Sequence, residues 1–111
     1  MREIIWTKHG EDAFDEILDY ITKYSGPINS AKVYERVIKE IELLKSERIR
    51  TRKSGELQEI GIYDIYELTI NPWKVYYKIL NENKTVSIQQ IIDTRRNIGE
   101  LLLQLVIGKK I

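Results

Sequence analysis

The spacing of apolar residues along this chain changes period several times, and each change marks an element. Ile4, Ile5 and Trp6, within Arg2 to Thr7, form a short β-type run and predict a first strand. The period then lengthens. Ala13, Ile17 and Ile21 recur every fourth position, and Phe14 and Leu18 fill the same face of a helix. Asp12, Asp15 and Glu16 lie near its start, where the helix dipole favours negative charge. Ser25-Gly26-Pro27 ends it, because glycine takes a left-handed cap and proline cannot continue a helix. Asn29 or Ser30 is the expected N-cap of a second helix, whose stripe is Ala31, Tyr34, Val37, Ile38, Ile41 and Leu44. The short connection predicts an antiparallel helical hairpin.

Beyond residue 59 the period drops to two. Ile60 to Ile70 reads as one or two strands, with Gly61 as a break or bulge. Asn71-Pro72 is a turn signal. In Trp73 to Leu80, Val75, Tyr77 and Ile79 share one face and Lys74, Tyr76 and Lys78 the other. Asn81 to Lys84 is a hairpin turn. Val86, Ile88, Gln90 and Ile92 are expected on one face of the last strand, with Ser87 and Gln89 opposite. Ile98 to Ile107 reads as a final helix, apolar almost all round, which must be covered on more than one side. The order predicts an α+β fold: an N-terminal strand, an antiparallel helical hairpin, an antiparallel sheet of three or four further strands and a C-terminal helix.

Composition narrows the class. The 111 residues, 42% hydrophobic, suit one domain spanning 1–111. There is no cysteine, so neither disulfides nor thiolate metal sites can form. The start, Met1 to Gly10, is too polar for a signal peptide, and Leu101 to Ile107 is far short of the roughly 20 apolar residues of a membrane span. The expected location is the cytoplasm. A net charge of +1 says little about partners, but Lys45 to Lys53 is mostly basic. That stretch is either a solvated loop or an anion-facing rim containing Arg50 and Arg52.

The machinery of small-molecule catalysis is missing from the sequence. The lone histidine, His9, suits a surface or capping position. No His, Cys or carboxylate cluster has metal-ligand spacing, so no metal or cofactor is expected. No phosphate-binding glycine loop and no nucleophile elbow occur. Asp12, Asp15 and Asp19 fit the solvent face of a helix. What remains is Arg95-Arg96, just past the last strand, with Lys74 early in the preceding one. An antiparallel pairing would bring Lys74 and Arg95 to one end of the sheet, either as exposed cations or as an anion site.

These residues lead to a family. The chain resembles the RelE/ParE superfamily of toxins from type II toxin–antitoxin modules. Trp6-Thr7 with Ala13, Asp15, Ile17, Tyr20 and Ile21 is similar to the family's opening strand and helix. Tyr66 to Ile70 running into Trp73 to Ile79 is similar to its paired strands, where an aromatic and a basic residue precede an aliphatic-x-Tyr. Val86 to Ile88 and Ile92 to Arg96 are similar to its last strand and arginine pair, and a leucine-rich tail follows. Order, spacing and length make the set specific where each piece alone is weak.

The resemblance implies two activities. RelE-like members are metal-independent endoribonucleases that cut mRNA on the ribosome, and Lys74, Arg95 and Arg96 would be the residues carrying that chemistry here. Such enzymes need cations on the phosphate and a proton-transfer group. Yet the strand positions where they place lysines are Ile65 and Glu67, and the C-terminal aromatic position falls near Leu101. ParE-like members lack that set and poison DNA gyrase by binding it, which is the reading these departures and the near-neutral charge favour. Lys74, Arg95, Arg96, Arg50 and Arg52 would then face the target. Both readings imply a cognate antitoxin that folds on binding, with Leu101, Leu102, Leu105 and Val106 as its expected seat. Self-association through the same helix is also expected.

Overall fold

The computed structural model describes residues 1–111, and its sheet is mixed. β1 (Glu3–Trp6) leads into α1 (Lys8–Ser25) and α2 (Pro27–Glu42). A turn of 3-10 helix at Leu43–Lys45 follows, then β2 (Arg52–Lys53), α3 (Gly55–Glu59), β3 (Tyr66–Ile70), β4 (Trp73–Leu80), β5 (Thr85–Asp93) and α4 (Ile98–Ile107). The strand order is β1-β5-β4-β3-β2. β1 runs parallel to β5, and every other pairing is antiparallel. No helix is long and apolar enough to cross a membrane.

The sheet is covered on both faces. On one, Phe14, Val37, Ile41 and Leu44 pack against Trp73, Val75, Tyr77, Val86, Ile88 and Ile91. On the other, Leu57 of α3 and Leu102 of α4 close over Ile65, Tyr76 and Ile92. The expected helical hairpin, the alternation in β4, the Asn81–Lys84 turn and the extent of the last helix all appear.

Three local expectations are corrected. α2 starts at Pro27 rather than after Asn29 or Ser30, because proline at the first helical position loses only an N–H that lacks a helical partner. Asn29 and Ser30 instead bond the carbonyls of Ser25 and Leu18, tying the hairpin together. The strand expected from Ile60 begins only at Tyr66. Ahead of it, Ser54 caps a short helix by accepting from the Leu57 N–H, and Gly61, at φ +85°, turns the chain out of it. Finally, β5 does not keep one alternation. A register shift opposite Tyr76/Tyr77 leaves Gln89 unmatched. That bulge moves Ile91 onto the face of Val86 and Ile88 and puts Gln90 and Ile92 on the other.

Gly10 explains how α1 sits so close to β5. Thr7 caps the helix, its hydroxyl accepting from the Gly10 N–H at 3.0 Å. A Cβ on Gly10 would lie 2.6 Å from the Ile88 carbonyl oxygen. Backbone cannot yield as a side-chain tip can, so Gly10→Ala is expected to cost about 2–3 kcal/mol, in the range of overpacked sites. Chemical denaturation checks this; a midpoint equal to wild type would show that α1 can shift freely.

Candidate functional site

The sheet face beneath α3 and α4 carries a cluster of semi-buried charges. In antiparallel register Glu67 lies opposite Tyr76, and Thr69 opposite Lys74. Side chains two apart share a face, so Glu67, Lys74 and Tyr76 converge. The Lys74 ammonium is 3.0 Å from Glu67 Oε2 and 3.2 Å from Glu56 Oε1. The Glu67 side chain is only 4% exposed, and that of Lys74 21%. Ser54 orients Glu56 by donating to its other oxygen at 3.3 Å. Two carboxylates thus hold one ammonium, and α3 is pinned to the sheet by a charge pair as well as by Leu57.

The titration behaviour follows from these contacts. Burial alone would lower the Lys74 pKa, but bonds to Glu67 and Glu56 outweigh it and leave it above its ordinary value. Burial would likewise raise Glu56; its backbone hydrogen bond and Lys74 reverse this and hold it below the ordinary value. The Tyr76 hydroxyl is fully buried and has no hydrogen-bond partner. Burial, then the Glu56 and Glu67 charges, push its pKa up. It cannot act as an acid near neutral pH, and it contributes an unsatisfied group. Tyr76→Phe is therefore expected to leave stability unchanged or raise it by up to about 1 kcal/mol. A thermal melt checks this, and a loss of several degrees would reveal an unrecognised partner for the hydroxyl.

The pairing of Trp73 with Asp93 and of Lys74 with Ile92 brings Lys74 and Arg95 towards one end of the sheet, but they share no ion-pair partner. Arg95 folds back on Asp93, with Nε at 2.9 Å from Oδ1 and Nη2 at 2.6 Å from Oδ2. Those bonds hold the Asp93 carboxyl below its ordinary pKa. Lys74 is held by Glu56 and Glu67 instead, so each cation has its own counter-ion. Arg96 is exposed and makes no ion pair. Arg50 and Arg52 are exposed at the opposite edge of the sheet, with Lys53 6.0 Å over the Tyr66 ring. Leu102, expected on a partner-facing surface, is 1% exposed inside this chain's own core. Leu101, Leu105 and Val106 are half-buried, while Leu103 and Ile107 are the exposed apolar residues of α4.

A groove of about 560 Å³ runs between α1 and α4 along β5. Ala13, Ile17, Leu101 and Leu105 line it, Trp73 lies at one side, and Arg95 and Arg96 reach it. Apolar grooves beside the helical hairpin are expected from the sequence as a partner's seat, and this groove is one such; Glu56 was not marked. The only local signal for Glu56 is its place two residues after a helix-capping serine.

The comparisons with known proteins agree with this architecture. The ParDE system of P. aeruginosa contains a similar chain, with a TM-score of 0.68 and 18% identity over 84% of this chain and 96% of that one. The isolated E. coli RelE toxin has a TM-score of 0.51 and 13% identity, covering 96% of this chain and 99% of its own. A doubly substituted E. coli RelE in the free state has a TM-score of 0.55 and 15% identity, covering 96% of each chain. No curated protein matches the chain in sequence. The family model for the ParE toxin of the type II toxin–antitoxin system parDE matches residues 4–98, and the chain therefore belongs to the ParE toxin family.

Proposed function

We propose that this toxin arrests growth by binding a protein target, DNA gyrase foremost, and not by cleaving RNA. The observation that carries the reading is the Lys74 ammonium held between Glu56 and Glu67. A phosphate arriving there would meet two carboxylates around one cation, and repulsion would outweigh attraction. The Tyr76 hydroxyl on the same face is sealed under α4 and cannot transfer a proton. A net charge of +1 also fits a protein surface better than a polyanion.

The free cations Arg96, Arg50 and Arg52 are the residues assigned to the target in this reading, which places the protein in the cytoplasm. The cognate antitoxin occupies the α4 side, with Leu101, Leu105 and Val106 among its contacts. In vitro, the purified toxin at micromolar concentration is expected to stabilise cleaved DNA in a gyrase reaction, and adding antitoxin first is expected to prevent it. Unaffected supercoiling together with cutting of ribosome-bound mRNA would replace this reading with the RelE-like one.

A further inference from the structure

We propose that a second depression, where α1 and α2 meet the start of β4, binds a phosphate dianion, either free or at the end of a monoester. It has a volume of about 420 Å³ and adjoins the groove described above, sharing Ile21 and Trp73 with it. Its polar lining is Ser25, Asn29, Lys32 and Arg36, all of them exposed. No carboxylate lines it, whereas Glu16 and Asp93 stand with the arginines of the larger groove. Neither Lys32 nor Arg36 enters any of the chain's ion pairs. Glu35 and Glu40 belong to α2 but line no part of the depression.

Arg36 is held in place by neutral groups. Its guanidinium lies over the Trp73 ring, 5.9 Å from the centroid, and its Nη2 donates to the Asn71 carbonyl. Trp73 is buried, so the platform is fixed. These contacts remove side-chain freedom before a ligand arrives and leave the positive charge unneutralised. The remaining N–H groups of Arg36 have no acceptor in the chain. Lys32 stands one helical turn before it, on the same face of α2, so the two cations border one volume. Charge and donor number select the ligand. One guanidinium fork satisfies a carboxylate. A phosphate monoester brings nearly two negative charges and several strong acceptor oxygens, which suit both cations together with the Ser25 hydroxyl and the Asn29 amide. A nucleic-acid strand suits the place less well, because Glu16 and Asp93 in the adjoining groove repel its next phosphate.

Titration of the intact chain with inorganic phosphate at constant ionic strength, followed by NMR, tests this. Saturable shifts confined to Ser25 through Arg36 and the Trp73 indole are expected. Lys32→Gln, which leaves Arg36 on its platform, is expected to weaken binding about tenfold while the melting temperature stays at the wild-type value. Arg36→Gln is expected to weaken it by at least as much. A nucleoside monophosphate that binds the same residues more tightly than inorganic phosphate assigns the monoester as the ligand, and equal or weaker binding assigns free phosphate. No saturable shift at these residues, or an affinity that Lys32→Gln leaves unchanged, overturns the site. A DNA duplex that shifts them where inorganic phosphate does not overturns the dianion in favour of a backbone contact.

Discussion

Lys74→Ala is expected to destabilise the protein by about 3 kcal/mol, the lower end of the cost of breaking a buried ion pair from one side. The substitution strands Glu67, whose side chain is 4% exposed, beside Glu56 with no cation between them. Adding Glu67→Gln to Lys74→Ala is expected to recover at least half of the loss, because the buried charge then disappears. The deficit also narrows at low pH, where carboxylates are protonated. In the wild type the signs are opposite for the two partners. Glu56, held below 4.5, contributes stability that is present above pH 4.5 and is lost as pH falls through its folded value. Lys74, held above 10.5, contributes stability that is present below pH 10.5 and is lost as pH rises through its folded value. The plateau lies between. Denaturant titrations of the single and double variants check this. A Lys74→Ala protein as stable as wild type would mean the ammonium is free for other work.

Arg2→Ala is the other substitution with a large expected effect. Arg2 is 5% exposed and has no carboxylate partner. Its guanidinium instead donates to the Asn83 carbonyl at 3.1 Å, the Asn83 side-chain oxygen at 2.5 Å and the Ser46 carbonyl at 3.3 Å. It joins the end of the helical hairpin to the β4–β5 turn. That turn needs the help, because Asn81, Glu82 and Asn83 all have positive φ, a conformation L-residues adopt at a cost. Losing the guanidinium leaves those oxygens without their charged donor, and about 2–4 kcal/mol is the expected cost. For a chain this size the melting temperature should fall by roughly 10 °C. Arg2→Lys is expected to recover little, since an ammonium cannot reproduce the fork. A fall of only a degree or two would show that the turn holds itself.

Much of the fold was legible because its signals are local. The fourfold spacing of Ala13, Ile17 and Ile21 gave α1, and the alternation in Trp73 to Leu80 gave both faces of β4. Family resemblance supplied what periodicity could not: that these elements form one toxin fold. Most of the misreadings depend on residues far apart in sequence. The Gln89 bulge is set by pairing with β4, and no pattern within β5 announces it. Lys74 reads as a cation, but its state is decided by Glu56, 18 positions earlier, on a helix too short to show a period. Arg2 looks like an ordinary terminal cation until the turn 81 positions later closes on it. Arg95 was visible as a candidate anion ligand, and its capture by Asp93 was not, although only two residues separate them.

These particulars bear on one proposal: the Lys74 ammonium is occupied by two carboxylates, and we propose that the toxin works by occupying a target. The most direct test is induction of the toxin in cells, with message ends and DNA breaks mapped in the same culture. Intact messages accompanied by DNA breaks and filamentation are the predicted result. Early cleavage of translated messages, abolished by Arg95→Ala, would contradict it.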